Sequence, residues 1–467
     1  MGQAVERLVV SHHRRRLARI GWLGALDAPP GGFAAGEPPP RTGNRLEILI
    51  DGATALPRIA DEIEKAESHV HLAGWFFSPE FRLRQDGPGL REFLAGVAER
   101  VDVRVLCWAG SPLPLFRPDR KQVREMRDEL MRESRVVCVL DKQERPLHCH
   151  HEKLVIVDDR VAFVGGIDLT DFSGQRFDSH EHPSRDGLGW HDAAGRVEGP
   201  AVADVAEHFR LRWCEVTGET LPPVEPRAPT GDIEVQVVRT VPEKVYRRLP
   251  RGDFRILETY QRALRSAEHF VYLENQFLWS PEIVAILAEK LRHPPSDHFR
   301  LLVLLPAKPS SGTDDTRGQL GLLMQADNGA GRMLACTVYQ RGSEDASPVY
   351  VHAKIGIVDD RWLTIGSANL NEHSLFNDTE MNLVVQDERI VRDARLRLWA
   401  EHLGRPVEDL QVEPAVTFDQ FWKPIAEEQR GRREQGAPPT HHLTQLPHLS
   451  RRASNLLGPL SGLLVDG

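Results

Sequence analysis

The signature His-x-Lys-x-x-x-x-Asp occurs twice in this chain, as His151, Lys153 and Asp158 in HEKLVIVD and as His352, Lys354 and Asp359 in HAKIGIVD. An imidazole and an ammonium two residues apart make a half-site for a phosphate: lysine neutralises charge, and histidine attacks or moves a proton. The copies start 201 residues apart (352 − 151 = 201). The register persists beyond them, with Ile156, Val157, Asp158, Asp159, Arg160, Gly165 and Leu169 recurring as Ile357, Val358, Asp359, Asp360, Arg361, Gly366 and Leu370. One such pair is ordinarily a half-exposed polar face of a strand. Two in register indicate a duplicated module whose halves each bring a histidine to one site.

Two histidines and two lysines around one phosphorus suit a two-step displacement without metal. One imidazole attacks to form a phosphohistidine while the other protonates the departing alcohol, then deprotonates water or another alcohol for the second step. Spacing does not say which histidine takes which role. Each imidazole needs an orienting partner, because a neutral nucleophile and a protonated acid must coexist. His148, Cys149 and His150 beside His151 raise the question of zinc. Strand alternation sets His148 and His150 on the opposite face from His151, and no second pair with ligand spacing follows, so no metal or other cofactor is expected.

Each signature needs an α/β element set to position it. In the first half a helix over Leu56 to Glu67 precedes an apolar strand, HVHLAGWFF (69–77); in the second, Ile256 to Glu268 precedes FVYLENQFLW (270–279). A helical stretch and a buried strand follow in each: Leu90 to Arg100 and VRVLCW (103–108), then Ile283 to Arg292 and RLLVLL (300–305). Period-two geometry then puts His352 and Lys354 on one face of a strand, with Ala353, Ile355 and Ile357 turned into packing. The implied architecture is α/β: two similar sandwich modules, each a mixed sheet flanked by helices, related by a pseudo-twofold with the active site at their interface. Expected boundaries are a leader and linker at 1–45, a first module at 46–216, a connector at 217–240, a second module at 241–425 and a tail at 426–467 that adds little to the core.

Hydrophobic residues make up 40% and charged residues 27% of the 467, an ordinary balance for globular modules with real cores. The net charge of −9 argues against a bulk phosphate-backbone binder, so no nucleic-acid partner is expected. Five scattered cysteines suit a reducing compartment, and no apolar run reaches the length of a membrane span. The basic patch His12 to Arg16 reads as a solvated leader, and the short apolar pieces at 20–26 and 456–464 as weak candidates for membrane contact. Only about 45 residues precede the first module, so no calcium- or phosphoinositide-binding domain is expected there. A cytoplasmic monomer that meets a bilayer peripherally follows.

These motifs closely resemble the phospholipase D superfamily, whose signature is H-x-K-x-x-x-x-D followed by G-S-x-N. The second copy fits throughout, with Gly366, Ser367 and Asn369 in GSAN, whereas the first reads GGID (Gly165, Gly166, Asp168). The segments QRFD (175–178), WHD (190–192), YLENQF (272–277) and NEHSLFNDTEMNLVVQD (371–387) extend the likeness over about residues 46 to 405. The resemblance implies His151 as nucleophile and His352 as general acid/base. It gives Lys153, Lys354, Asn369, Ser367 and Gly166 to the substrate phosphate, and Asp192 and Glu380 to orienting the histidines. Asp158 and Asp359 complete the catalytic signature as the residues that tie down the turns after the strands. His191 is either a ligand-facing residue or a packed, hydrogen-bonded one. The implied reaction is hydrolysis of a glycerophospholipid such as phosphatidylcholine to phosphatidate and free head group, with transfer to alcohols. A cardiolipin synthase-like transferase and a nuclease are the rival activities. The segments 78–90, 110–125 and 306–330 carry no readable head-group motif, and 307–318 reads as a surface loop or lid.

Overall fold

The computed structural model describes residues 2–113, 117–145, 147–172, 174–184, 187–225, 227–310, 313–341 and 347–446. Apolar runs rich in Val, Ile and Leu form the first half's strands: β1 (Arg41–Ile50), β2 (His69–Gly74), β3 (Asp102–Trp108), β4 (Val137–Asp141), β5 (Leu154–Val157), β6 (Val161–Gly165), β7 (Gly189–His191) and β8 (Ala193–Glu198). The second half supplies β9 (Ile233–Val241), β10 (Asp253–Phe254), β11 (Phe270–Glu274), β12 (Arg300–Leu304), β13 (Met333–Val338), β14 (Val349–Val351), β15 (Ile355–Val358), β16 (Trp362–Gly366), β17 (Glu380–Val385) and β18 (Leu443–Gln445).

Strand order makes the duplication explicit. The first half runs β4-β3-β2-β5-β6-β8-β1 and the second β13-β12-β11-β15-β16-β17-β9, the same sequence of parallel and antiparallel neighbours. Antiparallel pairing of β1 with β9 fuses the two into one continuous mixed sheet. A separate parallel pair, β7 with β14, ties the halves again, with Val351 opposite His191. One core lies on the face common to both halves. It takes Trp213 from helix Val202–Thr217 and Trp399 from helix Glu388–Leu403. Each half has its own core on the opposite face, under helices Gly52–Glu64 and Leu90–Ala98 in the first and Arg255–Ser266 and Pro281–Arg292 in the second. The predicted α/β sandwich architecture is therefore present, its modules sharing one sheet and one core. Gly404 ends its helix at φ 57°, the left-handed cap its position suggests.

Several segments pack more tightly than the sequence suggests. The basic leader is only partly solvated: His12, Arg14 and Arg15 are exposed, but helix Gly2–Ile20 lies on the second half with Leu17 fully buried. Arg16 pairs with Glu243 at 2.6 Å, and His13 stacks on Phe376 and meets Glu282 at 2.7 Å. Ala25 and Leu26 are buried in the same core, and Ile20, Trp22 and Leu23 are half-buried against it. Residues 426–446 do not stand clear of the core either. Helix Lys423–Glu434 leads to β18, which hydrogen-bonds along the open edge of β13 with Leu443 fully buried. The 456–464 piece lies outside the described residues. Within the polar 307–318 stretch a helix begins at Thr313 and runs to Asp327. No helix is long and apolar enough to cross a membrane among the described residues.

Candidate active site

Both His-x-Lys segments sit where the chain leaves one strand for the next. Residues 351's successors 352–354 bridge β14 and β15, and residues 151–153 lead into β5, so neither pair lies within a regular strand. The backbone instead turns aside to meet the opposite half. His151 and Glu152 N–H donate to the Thr379 carbonyl at 2.9 and 3.0 Å; His352 and Ala353 N–H donate to the His191 carbonyl at 2.8 and 3.1 Å. Each accepting carbonyl belongs to the residue just before an orienting carboxylate. The consequence is a crossed arrangement. His151 Nδ1 lies 3.0 Å from Glu380 Oε1 of the second half, and His352 Nδ1 lies 2.6 Å from Asp192 Oδ2 of the first. With Nδ1 held by a carboxylate, Nε2 of each ring is the atom left to do chemistry.

Both histidines line one cavity of about 400 Å³, together with Trp75, Asp168, Phe172, Arg176, Trp190, Gln276 and Tyr350. Trp190 packs against His352 with ring centroids 4.4 Å apart and against Tyr350 at 4.8 Å. Lys153 Nζ donates to the His151 carbonyl at 2.6 Å and pairs with Asp168 at 3.6 Å. Lys354 Nζ donates to the His352 carbonyl and, at 3.2 Å, to Gln276 Oε1, which also accepts from Asn369 Nδ2 at 3.3 Å. Gln276 thus holds Lys354 and Asn369 together. Its own amide donates to the Tyr350 hydroxyl at 2.9 Å.

Electrostatics here are governed by burial. Burial pulls the Lys354 ammonium down to about 7, and pushes the Asp192 and Glu380 carboxyls up to about 6 and about 8. The His352 imidazole is held well below its ordinary range by burial, and further by Lys354, Lys153, Arg176 and His151. Arg176 is almost wholly buried, its guanidinium carbon 3.4 Å from the Trp190 ring centroid. It donates to the Gly174 and Phe172 carbonyls. Spacing gave no signal for Arg176 or Gln276, since each acts from a loop outside the signature; both lie within segments, QRFD and YLENQF, that carry the family resemblance.

Two residues given to the phosphate, Gly166 and Ser367, stand elsewhere, and the two signature aspartates hold turns. Asp158 and Asp359 lie away from the cavity and bind turns. Asp158 accepts from the N–H groups of Glu67, Ser68 and His69 at 2.8–3.0 Å, and Asp359 from Glu268, His269 and Phe270 at 2.7–2.8 Å. Gly166 and Ser367 face the orienting carboxylates rather than the phosphate. Ser367 Oγ donates to Glu380 Oε2, and a Cβ on Gly166 would lie 2.2 Å from Asp192 Oδ1. His191 is fully buried and hydrogen-bonded, Nδ1 to Asp51 and Nε2 to Glu274, so it packs behind the site, outside the cavity.

Residues 261–400 match the family model described as cardiolipin synthase, PLD-like domain. Phospholipase D A of Dictyostelium discoideum is 26% identical over 78% of this chain, which spans only 36% of that protein's length. Phospholipase D alpha 4 of Arabidopsis thaliana is 25% identical over 82% of this chain and 70% of its own. The major cardiolipin synthase ClsA of Bacillus subtilis is 24% identical over 81% and 71%. Among solved structures, phosphatidylserine synthase from Haemophilus influenzae Rd KW20 has the same fold, with a TM-score of 0.51 at 12% identity, covering 90% of this chain and 98% of that one. The doubled signature, the fused sheet and these relatives together support a place for this chain beside the phospholipase D superfamily.

Proposed function

We propose that this chain is a phospholipase D, cleaving glycerophospholipids such as phosphatidylcholine into phosphatidate and free head group through a phosphohistidine. The observation that carries this reading is the pair of histidines on one cavity, each oriented by a carboxylate of the other half. His151 Nε2 attacks phosphorus and the bond to the head-group oxygen breaks; His352 Nε2 supplies the proton to that oxygen. His352 then takes a proton from water, whose oxygen attacks phosphorus and releases His151. Lys153, Lys354, Asn369 and Arg176 surround the phosphate oxygens. Burial first, and then the neighbouring cations, disfavour protonated His352; a bound phosphodiester anion offsets the cations and so favours the protonated general acid. The aromatic wall of Trp75, Phe172, Trp190 and Tyr350 offers a surface for a choline-like cation or an acyl-glycerol edge.

Likeness to a cardiolipin synthase and a phosphatidylserine synthase supports a second reading, in which an alcohol replaces water in the second step. Phosphatidylcholine vesicles with and without ethanol test the first: choline and phosphatidate are expected, with phosphatidylethanol once ethanol is present. Phosphatidylglycerol vesicles yielding cardiolipin and glycerol would instead favour the second. Absence of every lipid product, with nicking of plasmid DNA, would overturn both.

A further inference from the structure

Behind Asp192 lies a sealed group of histidines and carboxylates that the phosphodiester chemistry does not use. Asp51, His182, His191 and Glu401 are all buried and present one ligand atom each, all within 4.8 Å of one another. His191 Nδ1 is 2.9 Å from Asp51 Oδ1 and 3.1 Å from Glu401 Oε1, while His182 Nε2 is 3.3 Å from the same Glu401 oxygen. Neighbouring ligands of a tetrahedral zinc ion, bound at roughly 2.0–2.1 Å, sit about 3.3 Å apart, so these spacings approximate the edges of such a polyhedron. Asp51 Oδ2, His182 Nε2 and Glu401 Oε1 have no hydrogen-bond partner among the described residues. His182 Nε2 and Glu401 Oε1 thus meet only as a 3.3 Å ion pair outside hydrogen-bond geometry, and Asp51 Oδ2 is buried without a hydrogen bond, which is costly unless a cation satisfies it.

Each histidine is also braced on its far side. His182 Nδ1 lies 3.0 Å from Asp178 Oδ2, and His191 Nε2 lies 3.1 Å from Glu274 Oε2. Glu274 in turn accepts from His402 Nε2, at 2.7 Å, and from the Tyr272 hydroxyl. A carboxylate on the second ring nitrogen fixes the tautomer that leaves the first nitrogen's lone pair for a metal. Asp51 and His182 hold left-handed backbone, φ 62° and 43°, which non-glycine residues seldom adopt and which here turns both side chains inward.

Charge points the same way. One other buried carboxylate pair is neutralised by a built-in cation: Arg212 pairs with Asp141 at 2.8 Å and with Glu152. No lysine or arginine side chain pairs with the carboxylates of Asp51, Glu274 or Glu401 among the described residues. We propose that Asp51, His182, His191 and Glu401 bind one divalent transition metal ion of the zinc class, a structural staple between the halves. Three of the ligands come from the first half and Glu401 from the second. The ion would clamp the β7–β14 junction whose next residue, Asp192, orients His352. It sits outside the reaction cavity and takes no part in the proton transfers.

The test is metal content and spectroscopy on the full chain, purified without a histidine tag or chelator. About one equivalent of divalent transition metal per chain is expected by mass spectrometry. Co²⁺ introduced by refolding from chelator should show the visible absorption of a tetrahedral site. Glu401→Gln and His182→Gln should each lower occupancy by about tenfold or more. Refolded, chelator-stripped wild type should melt at a higher temperature once Zn²⁺ is added, and Glu401→Gln should not respond. Wild type grown with added zinc yet holding under about a tenth of an equivalent, with a melting temperature indifferent to Zn²⁺, would overturn the site, leaving protonated imidazoles to balance the charge. Equal occupancy in wild type and both variants would overturn the assignment of ligands. Should the variants fail to fold, wild-type content and the Co²⁺ spectrum still decide. None of these readouts depends on turnover, so the result stands apart from the activity proposed above.

Discussion

At the scale of single residues, the unequal halves have a steric explanation. Gly166 and Ser367 occupy equivalent positions (166 + 201 = 367), and each faces the carboxylate that orients the other half's histidine. The shorter Asp192 comes so close to Gly166 that any Cβ would collide with it, while the longer Glu380 sits where the Ser367 and Ser374 hydroxyls both donate to it. Glycine goes with aspartate and serine with glutamate. Gly166→Ser is therefore expected to displace Asp192 and cut turnover by roughly 10²-fold or more, measured as choline release, while the protein stays folded by circular dichroism. Glu380 also carries a pH signature. Burial raises its carboxyl from 4.5 to about 8 in the folded state, so the folded chain holds a proton that the unfolded chain loses earlier. That contribution to stability is fully present below the unfolded value and is lost as pH rises through the folded one. Glu380→Gln removes the titration. Relative to wild type, the variant should gain melting temperature between about pH 5 and pH 9. Its turnover should nonetheless fall by roughly 10²- to 10⁴-fold. A wild-type-minus-variant difference flat across that range would contradict the assignment.

At the scale of elements, the repeated aspartates of the signature act as splints. Asp158 and Asp359 each gather three consecutive backbone N–H groups at the start of a strand, β2 and β11, from turns at φ 56° and 53°. Asp158→Ala orphans those donors and should destabilise the fold by about 2–4 kcal/mol, seen as a lower urea midpoint, with kcat of the folded fraction nearly unchanged. Loss of activity without loss of stability would return Asp158 to the reaction centre. Elements were legible where periodicity is local: the helices Arg255–Ser266 and Pro281–Arg292 and the strands β3 and β12 lie within two residues of their predicted bounds. Expectations failed where a partner distant in sequence decides. The polar stretch of β18 becomes a strand only because the edge of β13 offers it hydrogen bonds. The basic leader docks because Glu243 and Glu282 await its Arg16 and His13. The ligand-like cluster was invisible for the same reason, its four residues spanning positions 51 to 401 with no local spacing.

At the scale of the whole molecule, the fused sheet converts a repeat into an asymmetric machine. Proximity in sequence would pair His151 with Asp192 and His352 with Glu380, yet the β1–β9 seam and the β7–β14 junction bring each histidine to the other half's carboxylate. Neither half alone contains an oriented histidine. If His151 is the nucleophile, its efficiency depends on Glu380, and the fate of the phosphohistidine depends on His352 and hence on Asp192. The two carboxylate variants should consequently fail in different ways. Glu380→Gln should slow formation of the covalent intermediate, so that rapid quenching with radiolabelled phosphatidylcholine traps little labelled protein. Asp192→Asn should misorient His352 for both proton transfers, so that labelled protein forms more slowly than in wild type but, once formed, persists because water is poorly deprotonated. Adding an alcohol more acidic than water, such as trifluoroethanol, should drain the label from Asp192→Asn faster, because its proton is given up more readily. The reverse pattern, with label accumulating in Glu380→Gln and absent in Asp192→Asn, would exchange the roles of the two histidines while leaving the crossed architecture intact.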